Sequence, residues 1–364
     1  MWTPLDNPAE MCYVCGHVAG AVTTVPVCAV YAAERSSKVL SEEILPGIHK
    51  IEVPLPGSPL KATNSYVVEG PGRSLVIDTG WNREDCRTAL LAGLDRCGVR
   101  LPDVDFLITH LHADHSGLVA ALAAQDATMY LSRGDAAVIE SATVPGYWEK
   151  ESRFARMHGF SLEELERVMG SHPGRRYSDS TRRDFSILKD GDTIGVGGYL
   201  FTCIETPGHT EGHMCLYEPG RKILISGDHV LVDITPNISL WSDERDPLRE
   251  YLASLDKIYD LDVGLVLPGH RSLFHDHRRR IDELKHHHRA RLDEVVSILE
   301  KGRQNVFRVA SQMTWDIGYR SWEAFPAAQK WFAFGEALAH LKYLEEDGLV
   351  GRERVGDELV FAAR

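Results

Sequence analysis

The stretch Thr109-His110-Leu111-His112-Ala113-Asp114-His115 places four metal-ligand side chains within six consecutive positions. It follows directly on the apolar run Phe106–Ile108, which reads as a strand. A chain turning out of a strand can aim His110 and His112 to one side and Asp114 and His115 to another. Imidazole nitrogens with carboxylate oxygens suit zinc-like borderline cations. Three further candidates lie just past apolar runs and beside glycine. They are His209 in Thr206-Pro207-Gly208-His209, Asp228 in Ser226-Gly227-Asp228 and His270 in Leu267-Pro268-Gly269-His270. Glycine at such points lets the backbone turn sharply and approach a site.

Around these residues the pattern alternates between strand and helix. Strands are expected at Ser65–Val68, Ser74–Ile77, Phe106–Thr109, Met129–Leu131, Tyr199–Thr206, Met214–Tyr217, Lys222–Ser226 and Val263–Leu267, and helices at Asp85–Cys97, from Ser116 and at Pro247–Tyr259. Strands that end in Gly, Asp or His and alternate with helices indicate an α/β layered fold. Residues 141–190 are polar, with a helical piece at Leu162–Met169, and read as an insertion or lid.

Together with Val76-Ile77-Asp78-Thr79-Gly80, this ordered set of ligand motifs resembles the metallo-β-lactamase superfamily of metal-dependent hydrolases, over about residues 45–275. The resemblance implies a four-layer αβ/βα sandwich with a binuclear site at one edge. It would assign His110, His112 and His209 to one metal and Asp114, His115 and His270 to the other, with Asp228 bridging them. Asp78 would organise the site without binding metal. Two divalent cations, zinc foremost with manganese or iron as alternatives, could share a bridging hydroxide of lowered pKa. Asp114 could orient the proton of that nucleophile. The lactamases proper lack an aspartate at the bridging position, so Asp228 points to hydrolases of thioesters, lactones and nucleic acids. His112 stands where the di-iron oxygen-reducing members carry glutamate, which disfavours that role. A single-iron sulfur dioxygenase remains open.

Three regions extend this plan. Residues 1–40 form an extension in which Cys12-x2-Cys15-x-His17, with Cys28, is either a small zinc knuckle or unstructured. The catalytic domain spans 41–280. Residues 281–364 read as helices, including an apolar stripe Trp331, Phe334, Leu338 and Leu341, followed by a hairpin about Gly356-Asp357, and so look winged-helix-like. Residues 285–364 hold 12 Lys/Arg and 12 Asp/Glu, which favours a cap or dimerisation role over DNA reading.

The chain has 364 residues and a net charge of −13, which argues against a dedicated nucleic-acid or anionic-membrane binder. Its seven cysteines are too sparse for a disulfide scaffold, which suggests a reduced, cytoplasmic setting. The apolar stretch Val18–Ala33 lacks a basic flank and contains Pro26, so neither a signal peptide nor a membrane helix is expected. His213 reads as support for the ligands and His229 as pointing away. His286, His287 and His288 fan around a helix and are expected on a solvated face. Tyr147, Trp148, Asn237 and Arg271 are candidate substrate contacts.

The favoured function is hydrolysis of a small thioester, lactone or ester. The alternatives are a single-stranded RNA endonuclease of the β-lactamase-like type, a mono-iron sulfur dioxygenase and a DNA-binding metal sensor. A small-molecule substrate is the expected partner, and a homodimer is compatible with the C-terminal stripe.

Overall fold

A computed structural model describes residues 41–178, 184–316 and 318–364. Cys12, Cys15, His17 and Cys28 lie outside the described residues. Seven strands form one sheet in chain order: β1 (Ser41–Leu45), β2 (Ile48–Pro54), β3 (Ala62–Val68), β4 (Ser74–Ile77), β5 (Val104–Leu107), β6 (Met129–Ser132) and β7 (Ser186–Leu188). They pair antiparallel as far as β4 and parallel from there on. The switch follows from the connections. Parallel neighbours need a crossover, and helix α1 (Glu84–Arg96) supplies it between β4 and β5. The second sheet has the order β12-β11-β10-β9-β8, from β8 (Thr193–Val196), β9 (Tyr199–Glu205), β10 (Met214–Glu218), β11 (Ile223–Gly227) and β12 (Leu265–Pro268).

Alternation along the strands builds three layers of core. Ile48, Tyr66, Val68, Ile77 and Leu107 meet Phe201, Cys203, Leu216, Ile225 and Leu267 between the sheets. The alternate residues Ile51, Val53, Val67, Val76 and Phe106 face outward onto Leu90 and Leu94 of α1. On the far side, Ile204, Cys215 and Leu224 pack under helix α8 (Pro247–Tyr259) and the C-terminal elements. The result is the four-layer αβ/βα sandwich that the motif order implies.

Several expectations need correction. β3 begins at Ala62, because Thr63, Asn64 and Ser65 are buried polar residues within a strand. The 141–190 segment contains α5 (Tyr147–Met157), α6 (Leu162–Ser171) and α7 (Pro173–Tyr177), but it also contributes β7 to the first sheet. It is also part of the core: Ala155, Phe160, Leu165 and Val168 join the cluster beneath the second sheet.

The C-terminal region holds α9 (His277–Leu299), α10 (Val306–Gln312) and α11 (Ala327–Glu346), then a hairpin of β13 (Val350–Val355) and β14 (Glu358–Ala363). The boundary expected at residue 280 falls inside α9. Nor does the region have a separate core, since Ile281, Val295, Val309, Phe334 and Phe361 share one cluster with Leu224 and Tyr251. Trp331, Phe334, Leu338 and Leu341 are at most 2% exposed within this cluster, so the stripe that suggested a dimer face is already covered by the chain itself. His288 is buried as well, its Nδ1 lying 3.1 Å from His340 Nε2, so the expected solvated histidine face holds only for its neighbour His286. Among the described residues no helix is long and apolar enough to cross a membrane.

Because one core serves both parts, truncating Phe334 should weaken the whole molecule. Phe334→Ala is expected to cost about 3–5 kcal/mol, seen as a lower midpoint of one cooperative urea transition followed by tryptophan fluorescence.

Candidate metal centre

Four chain turns at one edge of the sandwich deliver the candidate ligands. After β5 the chain runs into a short helix, α2 (Ala113–Ser116), with His112 at its N-cap. His110 and His112 therefore precede the helical turn, while Asp114 and His115 lie within it. Ser116 Oγ donates to the carbonyls of Leu111 and His112 at 2.8 and 3.1 Å, which closes the turn. His209 sits between β9 and β10, Asp228 just after β11 and His270 just after β12. The approach at Gly269 is so close that a Cβ there would lie 2.4 Å from Asp228 Oδ1 and 2.8 Å from His115 Cε1. Only glycine fits between two ligands in this way.

All seven residues converge. Ligand atoms of His110, His112 and His209 lie within 4.8 Å of one another, as do those of Asp114, His115 and His270, and those of His110, His115 and Asp228. His110 Nε2 is 3.1 Å from His112 Nδ1, and His115 Nε2 is 3.3 Å from His270 Nε2. Asp228 faces both groups, 3.3 Å from His270 Nε2, 3.5 Å from His115 Nε2 and 3.8 Å from His209 Nε2. Asp114 Oδ2 lies 3.5 Å from His270 Nε2.

Asp78 belongs to none of these groups. It sits in the left-handed region at φ +59°, accepts from the Thr109 N–H and hydroxyl at 2.8 and 2.7 Å, and accepts from Nδ1 of His115 at 2.7 Å. Nδ1 of His209 donates to the Asn237 carbonyl at 2.8 Å, and Nδ1 of His270 donates to the Ala62 carbonyl at 2.7 Å. Carbonyls only accept, so both rings carry their proton on Nδ1 and turn the Nε2 lone pair inward. His213 supports from behind: its Nε2 accepts from the Asp228 N–H at 3.1 Å, and Thr206 Oγ1 lies 2.8 Å from its Nδ1. His229 is buried between Tyr251 and His213, with ring centroids 5.1 and 5.9 Å apart, and belongs to none of the three ligand groups.

The donor set fits a pair of divalent cations. His209 Nε2 and Asp228 Oδ1 are buried without a hydrogen-bond partner, which folded proteins rarely tolerate without reason. Burial, reinforced by the neighbouring imidazoles, lowers the pKa values of His110 and His112, and burial also lowers that of His209. All three are held in the neutral ligand form. Burial also works to lower His115 and His270, but Asp228 and the other carboxylates outweigh it and raise both. Burial alone would raise Asp228, yet His270 and His115 hold it well below the carboxylate range. Protons and cations thus compete for the same lone pairs, so metal affinity should fall as pH falls. Chelator competition at a series of pH values checks this. An affinity independent of pH would contradict the assignment of these histidines.

Residues without a ligand pattern hold the turns in place. Asp135, in the first turn of α4 (Arg133–Ala142), accepts from Leu111 N at 2.7 Å, Thr210 Oγ1 at 2.8 Å and Gly212 N at 2.7 Å. It clamps the His110–His112 turn to the His209 turn. Burial pushes its carboxyl up to about 6 against those three donors. Its only mark in the sequence is its place three residues after the helix-capping Ser132, which says nothing of the centre. Along β3, Thr63 Oγ1 donates to the Asp114 carbonyl at 2.9 Å, Ser65 Oγ to the Asp78 carbonyl at 2.7 Å, and Asn64 Nδ2 to the Pro268 and Arg271 carbonyls at 2.9 and 2.8 Å.

The candidate substrate contacts divide. Tyr147 and Trp148 open α5 and are half-buried. Trp148 packs on His172 with centroids 5.2 Å apart, and His172 in turn meets Phe332 of α11 at 5.8 Å. Arg271 is instead tied to the Pro59 carbonyl at 2.9 Å. The Asn237 side chain faces α11, and the backbone carbonyl of this residue meets His209. The Asn237 side chain is therefore fully engaged, whereas Nε of Arg271 has no hydrogen-bond partner.

With these contacts in place, the chain belongs to the metallo-beta-lactamase superfamily, whose family model matches residues 59–270. It is 31% identical over 239 residues to a chicken (Gallus gallus) protein named acyl-coenzyme A thioesterase, covering 59% of this chain and 74% of the relative. A probable metallo-hydrolase of Bacillus subtilis is 25% identical over 311 residues, covering 81% of this chain and 92% of that protein. The crystal structure of a metallo-beta-lactamase family protein from Thermus thermophilus superposes with a TM-score of 0.75 at 31% identity, covering 88% of this chain and all of that one. The chain is accordingly a metal-dependent hydrolase.

Asp135→Asn replaces an acceptor with an amide that must turn N–H groups toward donors. We expect a fall in metal affinity together with a stability loss of about 1–3 kcal/mol, read by chelator competition and by thermal denaturation.

Proposed function

We propose that this protein hydrolyses a small acyl thioester, with lactones and simple esters as related substrates, using two divalent cations, zinc foremost. The convergence of Asp228 with six other ligands at one sandwich edge carries the reading. The likeness to a protein named acyl-coenzyme A thioesterase supports thioesters in particular.

When bound, the cations would supply a nucleophilic hydroxide at neutral pH and polarise the substrate carbonyl. The chain's own groups do the rest. His110, His112 and His209 hold one side, and Asp114, His115 and His270 the other, with Asp228 between. Asp78 fixes the ring of His115 by accepting a hydrogen bond from its Nδ1. The Asp114 carboxylate, 14% exposed, is placed to accept a hydrogen bond from the attacking water and so orient it. The packed rings of Tyr147, Trp148 and His172 are the proposed apolar wall for the acyl group. A thiolate leaves readily because thiols ionise near pH 8.5, roughly, so the site needs no strong acid for the leaving group.

The test offers zinc-loaded protein a panel of acyl thioesters, lactones and short RNAs, following thiol or acid release. Thioester turnover should vanish in His112→Ala while circular dichroism stays unchanged. Chelation should silence the wild type, and added zinc should restore it. Turnover that persists in His112→Ala in metal-controlled buffer would sink the mechanism, and cleavage of RNA alone would sink the substrate class.

A further inference from the structure

We infer that Glu336, on the C-terminal helix α11, is a positioning residue for the metal centre: it anchors Asn237 so that the Asn237 carbonyl meets Nδ1 of His209. The segment between β11 and α8 forms no helix or strand across residues 228–246. Its shape therefore depends on what it is fastened to. Asn237 Nδ2 donates to Glu336 Oε2 at 2.8 Å and to the Phe332 carbonyl at 3.2 Å. Ser239 Oγ donates to Asn237 Oδ1 at 2.6 Å, so both ends of the amide are held. Leu240 N donates to the Gly335 carbonyl at 3.1 Å, and Trp241 stacks on Trp331 with centroids 4.1 Å apart and planes at 10°. A Cβ at Gly335 would lie 2.7 Å from both Ser239 Oγ and Trp241 Cζ2, so the helix and the segment meet at backbone distance.

Glu336 is only 8% exposed, in a helix whose neighbouring positions are apolar. A carboxylate there costs stability unless it is hydrogen-bonded, and its side chain bonds to Asn237. A leucine would suit the core better if packing were the whole of its role. What the carboxylate adds is a fixed Asn237, and through it the proton acceptor for His209. Histidine ligands depend on such partners for ring orientation and donor strength, and losing one typically costs about 10–100-fold in metal affinity.

The inference rests on His209 being a ligand, which zinc titration of the wild type tests on its own: two bound ions uphold that premise, and none removes it. The full chain is then titrated with zinc against a chromophoric chelator. Glu336→Leu should lose about 10–100-fold for one ion and keep the other, while Glu336→Gln, which retains an acceptor oxygen, should bind like the wild type. Lys330→Met serves as the control. It breaks the 2.6 Å pair that Lys330, on the same helix, makes with Glu164, and it should lower the melting temperature without changing zinc affinity. In cobalt-loaded protein, one exchangeable imidazole N–H signal should shift in Glu336→Leu and hold its place in Glu336→Gln. Asn237→Ala attacks the link from its other end and should weaken the same ion, which covers the case of an unfolded Glu336→Leu. The inference is overturned if Glu336→Leu and Asn237→Ala bind both ions normally. It is equally overturned if they lose both ions in step with melting temperature.

Discussion

Lone pairs facing lone pairs across about hydrogen-bond distance are the constraint on which this structure depends. His110 and His112 meet at 3.1 Å, His115 and His270 at 3.3 Å, and Asp228 stands between the two groups. Such groups repel unless a proton or a cation lies between them. The surrounding fold must hold them together against that repulsion, and it does so with hydrogen bonds aimed from behind. Asp78, Ala62 and Asn237 fix single rings, whereas Asp135, Thr63, Asn64 and Ser65 fix the turns that carry them.

The sandwich explains why these supports can be rigid. Each ligand turn leaves a strand whose side chains are locked between the sheets or under a helix. The second sheet is in turn covered by α8, by the helices of the 141–190 segment and by the C-terminal helices, all in one cluster. Positions as distant in sequence as Leu165 and Phe334 therefore share the cluster that backs the strands leading to His209 and Asp228.

Much of this was legible in the sequence, for a physical reason. Metal ligands must combine particular side chains with glycine-permitted turns at strand ends, and both marks survive in one dimension at His110–His115, His209, Asp228 and His270. Most strands were legible too, as short apolar runs between turns. Supports are different. Asp135, Thr63 and Asn64 are ordinary polar residues until the fold sets a carbonyl or an N–H before them. Thr63 and Asn64 even hid the start of β3, because buried polar side chains break the alternation by which strands are recognised. Asn237 stands out in the sequence for its position after Asp228, but its side chain and its carbonyl serve different partners, which no linear pattern distinguishes. The covered face of Trp331 and Phe334 could not be told from a dimer face without knowing that the second sheet lies against it.

The contiguity of His110, His112, Asp114 and His115 has a consequence for the unfolded chain. Four of the seven proposed ligands stay within six residues whatever the remainder does, so unfolding leaves that part of the donor set together. His209, Asp228 and His270 are dispersed when the sheets come apart. A ligand stabilises a fold only by its preference for the native over the denatured state. A cation bound as proposed would therefore stabilise this fold chiefly through the three ligands that only folding brings in, with the local quartet, for all its prominence in the sequence, contributing least to that preference.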